Sequence, residues 1–236
     1  MIRVVVAGAA GRMGRLTVTT LRAEADVELA GTLVRGSDAA AVLALARPDV
    51  LVDFTLAAAS REISLLAAER GISPVIGTSG LRDEDVARIA EACRRSGTGG
   101  LLVPNFSVGA VLQMRLAEEV ARHLPCAGIH EVHHPQKKDS PSGTALATAR
   151  RIRAAAAQAA GAGGGAADVP IRSERREGAL AEQEVAFEQP GERLVLGHVV
   201  TDRQAYMPGL LLAVRSVRSL HGLHVGLDAL LAPPAA

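Results

Sequence analysis

The chain has 236 residues and a formal net charge of +1, with 48% hydrophobic residues but only 2% aromatic ones. Balanced charge argues against a nucleic-acid or anionic-membrane partner, and three Phe, one Tyr and no Trp offer few stacking platforms for single strands. No apolar run reaches the roughly 20 residues that a membrane-spanning helix needs, so we expect a cytoplasmic protein.

The first part of the chain alternates strand patterns with helix patterns. Its strands are apolar runs, which is typical of strands buried on both faces. The predicted strands are Ile2–Ala7, Val27–Val34, Val50–Thr55, Pro74–Thr78 and Gly100–Val103. The predicted helices are the segment from the first glycines to Leu21, then Ala39–Leu45, Ala57–Arg70 and Asp83–Ser96. This alternation predicts an α/β, Rossmann-like domain with a parallel sheet over residues 1–104.

The pattern changes after Asn105, and residues 105–207 are predicted to form a second, α+β domain with a mixed or antiparallel sheet. The predicted helices are Val108–His123 and an Ala-rich helix from Gly143, and the predicted strands are Gly128–His133, Val169–Glu174, Glu184–Glu188 and Arg193–Val200. Ala154–Gly165 is of low complexity and is predicted to end the helix in a flexible stretch. The tail, Pro208–Leu231, is apolar with a helical period.

A glycine-rich turn lies between the first strand and the first helix. It consists of Gly8, Ala9, Ala10, Gly11, Arg12 and Met13, followed by Gly14. Glycines there allow a tight turn and a close approach of a pyrophosphate, while the helix N-terminus offers N–H groups and a positive dipole end. In this strand–turn–helix setting, the GxxGxxG spacing predicts dinucleotide binding rather than a turn that merely packs helix on strand.

The cofactor's ribose is commonly held by an acidic residue about 20 positions after the glycines. Here that position is occupied by Val34, followed by Arg35. A carboxylate would repel a 2′-phosphate, whereas a guanidinium binds it with paired hydrogen bonds. We therefore expect NADPH to be preferred, with NADH possible; the alternative is an ordinary surface arginine at a strand end.

Two further strand ends fall where an open α/β sheet binds its ligands. Small and polar residues follow the strands there, and they are candidates for lining the nicotinamide. They are Gly77, Thr78 and Ser79 after one strand, and Val103, Pro104, Asn105 and Phe106 after the next.

A polar loop, HHPQKKDSPSGTAL, connects a strand at His133 to the helix that begins near Gly143. Ser142 or Thr144 is a candidate N-terminal cap, and the N–H groups of the helix start suit carboxylates as well as phosphates. Imidazole and ammonium groups beside such a turn suit an acidic small molecule that is protonated during a reaction.

The same loop gives little sign of a metal site. It has no third ligand at helix spacing and no nearby cysteine, so no metal is expected. Cys93 and Cys126 are far apart in the sequence and belong to no metal or redox motif; they are interpreted as small buried residues.

Taken together, these motifs resemble the 4-hydroxy-tetrahydrodipicolinate (dihydrodipicolinate) reductase family. EVHHPQKKDSPSGTA is similar to the signature loop of that family. Further similar blocks follow the family's order along the chain: VAGAAGRMGR, VDFT, VIGTSG, VPNFSVG and GHVVTDRQAYMPG. The resemblance implies NAD(P)H-dependent reduction, with loss of water, of a small cyclic dicarboxylate in the diaminopimelate route to lysine.

The resemblance also assigns roles. It implies that His133 is the catalytic histidine, that Lys137 donates a proton, and that His134, Gly143 and Thr144 bind the substrate carboxylates. It implies a nucleotide-binding domain completed by residues 208–236, a substrate-binding and oligomerisation domain with an open sheet, a homotetramer, and domain closure over the two ligands.

Some features depart from the family pattern, and two alternatives stay open from the sequence. The chain is shorter after Arg35 and around Arg176–Glu184, Val34 replaces the commoner acidic residue, and Pro135 and Gln136 stand where basic or aromatic residues are frequent. The alternatives are another NADP oxidoreductase, similar to an aspartate or homoserine dehydrogenase, and a non-catalytic NADPH-sensing protein.

Overall fold

The computed structural model describes residues 1–160 and 168–231, which divide into two compact units. The described residues within Met1–Phe106 and Tyr206–Ala236 form the first unit, and those within Ser107–Ala205 form the second. The predicted low-complexity stretch falls partly in helix, because residues 154–160 continue the Ala-rich helix, whereas 161–167 lie outside the described residues.

The first unit is a six-stranded parallel sheet with helices. Its strands are β1 (Ile2–Ala7), β2 (Val27–Leu33), β3 (Val50–Asp53), β4 (Ser73–Ile76), β5 (Gly99–Leu102) and β10 (Gly222–Val225). Its helices are α1 (Arg12–Ala23), α2 (Ala39–Ala46), α3 (Ala57–Glu69), α4 (Asp83–Ser96) and α7 (Met207–Ser216). The strand order is β2-β1-β3-β4-β5-β10, so the direction of winding switches between β1 and β3. A crevice at this switch point is the usual ligand site of such sheets.

The strands of this sheet are apolar because both of their faces are covered. Val4, Val5 and Val6 are fully buried in β1, as are Val50, Leu51 and Val52 in β3. Burying a side chain of this size contributes about 1.5–3 kcal/mol. Cys93 is also fully buried, and burial raises the pKa of its thiol to about 11, whereas Cys126 is only half-buried.

The tail differs from the helix expected over Pro208–Leu231. Helix α7 ends at Ser216, and the chain then forms β10, which pairs in parallel with β5 at the edge of the first sheet. The prediction of a continuous helix was therefore wrong for the second half of the tail. A four-residue edge strand carries too few residues for its period to be recognised, and Gly222, with φ 74°, marks its start.

The second unit is a four-stranded mixed sheet packed on two helices. Its helices are α5 (Val108–Val120) and α6 (Gly143–Ala160), and its strands are β6 (Cys126–His133), β7 (Ile171–Arg175), β8 (Ala181–Gln189) and β9 (Glu192–Val200). The order is β7-β6-β8-β9, with β6 and β7 parallel and the other pairs antiparallel, so of the two predicted alternatives the sheet is the mixed one. Ile129, Ile152 and Phe187 form its core with alanines of both helices.

A buried amide fixes helix α5 on this sheet. The Gln113 side chain donates hydrogen bonds of 2.8 Å to the carbonyl oxygens of Gln183 and Leu196, which lie on neighbouring strands. Gln183 in turn donates to Gln113 and to the hydroxyl of Thr148 on α6. Because these buried polar groups satisfy one another, the network favours one alignment of helices and strands.

Candidate active site

The glycine-rich turn follows β1 directly and has little room for side chains. Gly8 has φ +75°, and a Cβ there would lie 2.5 Å from the carbonyl oxygen of Phe54. A Cβ on Gly14 would lie 2.1 Å from the oxygen of Gly8. Gly11 donates to Gly8 at 2.9 Å and precedes α1 without a side-chain cap. The first N–H groups of α1 therefore stay available to an anion, and the backbone can approach a pyrophosphate.

Positive charge surrounds the same edge of the sheet. Arg35 lies in the turn after β2, and Arg12 is the first residue of α1. Both are exposed, and neither makes a hydrogen bond or ion pair with any described residue. Val34, just after β2, is 48% exposed. The edge thus offers two unpaired guanidinium groups and no carboxylate at the position where a ribose is commonly bound.

Asp53 is a fully buried carboxylate at the end of β3. Its Oδ1 accepts hydrogen bonds from the N–H and hydroxyl of Thr55, at 2.8 and 2.6 Å. The Thr78 hydroxyl lies 3.3 Å from its Oδ2 and 3.1 Å from the carbonyl oxygen of Thr55. Asp53 therefore ties the loop after β3 to the loop after β4, where Gly77, Thr78 and Ser79 are located.

Two aromatic rings pack beside these loops. The rings of Phe54 and Phe106 lie 5.5 Å apart between centroids, at an interplanar angle of 59°. Gly77 fits against both, since a Cβ there would lie 2.3 Å from Phe54 Cε1. Of the other residues expected at this edge, Pro104 and Ser79 are exposed, Asn105 is half-buried and Val103 is buried in the core. The loops expected to line a nicotinamide thus lie at one edge of one sheet.

The second cluster begins at the end of β6 with His133. Its imidazole is mostly buried, and its Nδ1 contacts Oε2 of Glu131, which is fully buried. Residues two apart on a strand share a face, which brings these side chains together. Oε1 of Glu131 pairs with Nη1 of Arg175 at 3.2 Å.

The surroundings of this pair determine its protonation. Burial alone would raise the pKa of Glu131, but hydrogen bonds from Ser173 and Arg175 and the nearby positive charges bring that pKa below its usual range. Burial lowers the pKa of His133, and the charges of Lys137 and Arg175 add to this, while Glu131 opposes it. At neutral pH an uncharged His133 therefore faces an ionised Glu131, so Nδ1 carries the proton and Nε2 is left as an acceptor.

The loop after His133 carries the expected ammonium group. The Nζ of Lys137 is partly buried and lies 2.9 Å from Oδ2 of Asp139. Arg175 holds the same stretch, donating to the carbonyl oxygens of Lys137 at 3.4 Å and Asp139 at 2.5 Å. One guanidinium thus connects the buried carboxylate of Glu131 with the backbone around Lys137.

The start of α6 has the geometry of an anion site. Ser142, one of two predicted caps, accepts a hydrogen bond at 3.1 Å from the N–H of Ala145. Gly143 is the first helical residue and Thr144 the second, and a Cβ on Gly143 would meet nothing within 4 Å. Nδ1 of His134 is buried and has no hydrogen-bond partner among the described residues. Open backbone and an imidazole therefore occur in the same loop.

Both halves of the chain match models of one family. The model described as "Dihydrodipicolinate reductase, N-terminus" matches residues 2–106, and the one described as "Dihydrodipicolinate reductase, C-terminus" matches residues 109–231. The chain belongs to the dihydrodipicolinate reductase family. The predicted family resemblance is thereby confirmed, and the first unit is a nicotinamide-cofactor-binding domain.

Full-length relatives agree with this membership. The chain is 43% identical over 261 residues to the 4-hydroxy-tetrahydrodipicolinate reductase of Moorella thermoacetica, covering 98% of each chain. It is 37% identical over 237 residues to that of Coxiella burnetii (strain Dugway 5J108-111), covering 98% of this chain and 99% of the relative. The structure is similar to the dipicolinate-bound dihydrodipicolinate reductase of Paenisporosarcina sp. TG-14, with TM-score 0.85, 30% identity, and 98% and 100% of the two chains covered.

Sequence reasoning about this reductase-family chain missed three residues around the sites. Asp53 was recognised only as part of a block resembling the family, although a carboxylate directly after a buried strand is a usable signal. Glu131 likewise stood inside the quoted loop without a role. Arg175 gave no local signal, because it reaches Glu131 across 44 residues of sequence through the pairing of β6 with β7.

The described residues contain neither a membrane-spanning helix nor a metal-binding cluster. Across residues 1–160 and 168–231, no helix has the length and apolar character to cross a membrane. The same ranges contain no group of three or more His, Cys, Asp or Glu side chains arranged to hold a metal ion.

Proposed function

We propose that the chain catalyses the NAD(P)H-dependent reduction of 4-hydroxy-tetrahydrodipicolinate to tetrahydrodipicolinate, with loss of water, in the diaminopimelate route of lysine biosynthesis. Its full-length membership of the reductase family carries the proposal. That membership also argues against aspartate or homoserine as the substrate. The retained His133, Glu131 and Lys137 cluster argues against a protein that only senses NADPH.

The substrate is a six-membered cyclic imine with two carboxylates, and we propose that the start of α6 binds them. Support comes from the position of Gly143 and Thr144 in the first turn of α6, and from Nδ1 of His134, which is buried without a hydrogen-bond partner among the described residues. The relative from Paenisporosarcina is described as bound to dipicolinate, itself a ring with two carboxylates.

The protonation of the cluster supports a division of roles. Loss of water removes a proton from the ring carbon next to the one that carries the hydroxyl, and neutral Nε2 of His133 accepts it. The Lys137 ammonium protonates the departing hydroxyl, which leaves as water. When bound, the reduced cofactor supplies hydride to the ring carbon that lost the hydroxyl. The proton on His133 then returns to the ring, and Lys137 takes one proton from solvent, so each turnover consumes one reduced cofactor and one proton.

The cofactor site is proposed to comprise the glycine-rich turn, Arg35 and the loops after β4 and β5. At Gly8 and Gly14 a Cβ would collide with the backbone of Phe54 and Gly8, so glycine allows a turn tight enough for a pyrophosphate to approach the start of α1. NADPH is proposed to be preferred over NADH, because Arg12 and Arg35 have no ion-pair partner among the described residues and the expected acidic residue is Val34.

A coupled assay tests the activity. The preceding condensing enzyme of the route would make the substrate in situ, and loss of the reduced-nicotinamide absorbance would be followed with and without this protein. We expect oxidation of NADPH that depends on the condensing enzyme, and no reduction of NADP⁺ with aspartate or homoserine. Reduction of NADP⁺ by either amino acid, or cofactor binding without turnover, would overturn the proposal.

The assembly is proposed to be a homotetramer formed through the sheet of the second unit. On β9, Val195 and Val199 are 40% and 61% exposed and alternate with Leu196, which packs on the core. They therefore face away from α5 and α6, on a sheet face that a partner subunit would cover. Light scattering after size exclusion should give four chains, and Val199→Glu should reduce that number. The cytoplasm remains the expected location, which cell fractionation would test.

A further inference from the structure

Glu131 is a buried carboxylate that the proposed proton transfers do not use. It has no exposed surface, yet it is ionised beside His133 and Arg175. Burying a charge is costly unless partners compensate it, and here both carboxylate oxygens have a specific partner. A residue that only filled the core at this position could be apolar. The contacts with His133 and Arg175 offset the cost of burying the charge, and they also give the carboxylate a role that an apolar residue could not have.

The first neighbour, His133, depends on Glu131 for its tautomer. Because Nδ1 contacts the carboxylate oxygen Oε2, which can only accept, the proton of the neutral imidazole is held on Nδ1 and the acceptor lone pair on Nε2. The same contact orients the ring, since the buried Nδ1 meets no hydrogen-bond partner elsewhere among the described residues. An imidazole without this contact would distribute its proton over both nitrogens and lose part of its accepting form.

The second neighbour, Arg175, connects Glu131 with the backbone of Lys137. Arg175 is aligned with His133 in the parallel pairing of β6 and β7. Its guanidinium pairs with Glu131 and also donates to the carbonyl oxygens of Lys137 and Asp139. The planar guanidinium has five donors in fixed directions, so it can hold a carboxylate and a loop backbone together, which an ammonium cannot do in the same way.

We infer that Glu131 and Arg175 are positioning residues for the reaction: Glu131 fixes the tautomer and orientation of His133, and Arg175 fixes Glu131 and the backbone that carries Lys137. The inference rests on the proposed function, because it takes His133 and Lys137 as the groups that move protons. Neither positioning residue is expected to touch the substrate, so the substrate KM should be much less sensitive to them than kcat.

The charges around His133 set the direction of a pH test. Glu131 comes from its own strand, Arg175 from β7, and Lys137 and Asp139 from the following loop. Of these, Glu131 raises the pKa of His133, whereas Lys137 and Arg175 lower it. Removing the charge of Glu131 should therefore move the acidic limb of kcat against pH to lower pH. A merely structural role would not move that limb.

Glu131→Gln, Glu131→Asp and the control Glu182→Gln test the first part. Glu182 pairs with Arg176 at 2.6 Å, so its variant removes an equivalent charge from a neighbouring ion pair. We expect kcat to fall about 10- to 100-fold in Glu131→Gln, with KM within about threefold, the acidic limb at lower pH, and the control unchanged. Imidazole ¹⁵N spectra should show the Nδ1–H tautomer of His133 in the parent and a mixture in the variant.

Arg175→Lys, with the control Arg176→Gln, tests the second part. Lysine keeps the positive charge but cannot reach the carboxylate and both carbonyl oxygens, so kcat should again fall about 10-fold or more. Binding of dipicolinate, measured calorimetrically, should stay close to the parent value and shows that each variant is folded. If Glu131→Gln does not fold, Glu131→Asp replaces it, since its shorter side chain keeps the charge but withdraws from Nδ1.

Parallel measurement of His133→Ala and Lys137→Ala separates the two proposals. If these variants lose turnover while the folded Glu131 and Arg175 variants keep parental kcat, pH profile and tautomer, the positioning inference is overturned and the proposed function stands. If His133→Ala and Lys137→Ala keep full turnover, the catalytic roles themselves are wrong. A lower kcat in His133→Ala, Lys137→Ala, Glu131→Gln and Arg175→Lys, together with an acidic limb at lower pH in Glu131→Gln, supports the proposed function and the positioning inference.

Discussion

The buried carboxylate of Asp53 lies 3.3 Å from the hydroxyl of Thr78, which joins the ends of two neighbouring parallel strands. The same carboxylate accepts two hydrogen bonds from Thr55. Loops at the carboxyl ends of parallel strands have no ladder to hold them, so a shared buried acceptor keeps them in register. The nicotinamide end of the proposed cofactor site thus depends on a residue that itself lies in the core.

Replacing Asp53 should weaken cofactor binding without touching the cofactor. In Asp53→Ala, the N–H and hydroxyl of Thr55 lose their acceptor and Thr78 loses its contact with the carboxylate, so we expect the Kd for NADPH to rise about 10-fold with a lower melting temperature. Asp53→Asn keeps an oxygen for Thr55 and an amide next to Thr78, so it should recover most of the affinity. Fluorescence titration measures both. Equal affinities in all three proteins would show that the loops do not need this acceptor.

Lys137 should be essential for turnover, whereas its neighbour should not. Lys137→Ala removes the proposed proton donor, and kcat should fall about 10²–10⁴-fold. Lys138→Ala is a matched control, because Lys138 is exposed and makes no ion pair with any described residue. Steady-state rates with saturating NADPH decide the point. Equal kcat values for the two variants would remove Lys137 from its role.

The pH dependence of activity should report on His133. Burial lowers its pKa below the ordinary value of 6.5, so the neutral, proton-accepting form predominates at neutral pH. As pH falls through the lowered pKa, solvent protonates Nε2 and kcat/KM should decline, with a midpoint below 6.5. Glu131 and Asp139 also have lowered pKa values and stay ionised across this window. The limb should be absent from the residual activity of His133→Ala; its persistence there would assign it to another group.

Cofactor choice should depend on Arg35. Arg35→Ala removes a guanidinium that has no ion-pair partner among the described residues, so kcat/KM should fall about 10- to 100-fold with NADPH and change little with NADH. Arg22→Ala, an exposed arginine in the last turn of α1, gives the same change of charge as a control. Parallel assays with both cofactors measure the ratio. A parent protein that uses NADH as efficiently as NADPH would contradict the proposed preference.

Much of the fold was predictable because it follows from local patterns. Apolar runs such as Val4–Val6 predicted the buried strands. The glycine spacing predicted the tight turn, in which Gly8 and Gly14 lie too close to other backbone atoms for a side chain. The cap at Ser142 was among the two residues expected from the sequence. These features depend on a few adjacent residues, so period and residue type are sufficient to indicate them.

The remainder depended on contacts between distant segments. The pairing of Arg175 with Glu131 requires β6 and β7 to lie in one parallel register, which nothing near either residue specifies. Strand β10 pairs with the edge of β5, and its four residues alone are too few to show a strand period. Tertiary pairing overrides local preference in both cases.

Strand β10 also determines when the first sheet can be completed during synthesis, because it is the last strand in the sequence. It is the outermost strand of the first sheet, yet residues 107–205 are synthesised between it and its neighbour β5. During translation, the outer edge of β5 therefore stays without a neighbouring strand, and prone to aggregation, until Val225 has left the ribosome. The inserted unit, by contrast, has all four of its strands as soon as Val200 has emerged. A ribosome stalled before Gly222 would thus carry a second unit with all four of its strands and a first sheet that still lacks its last strand.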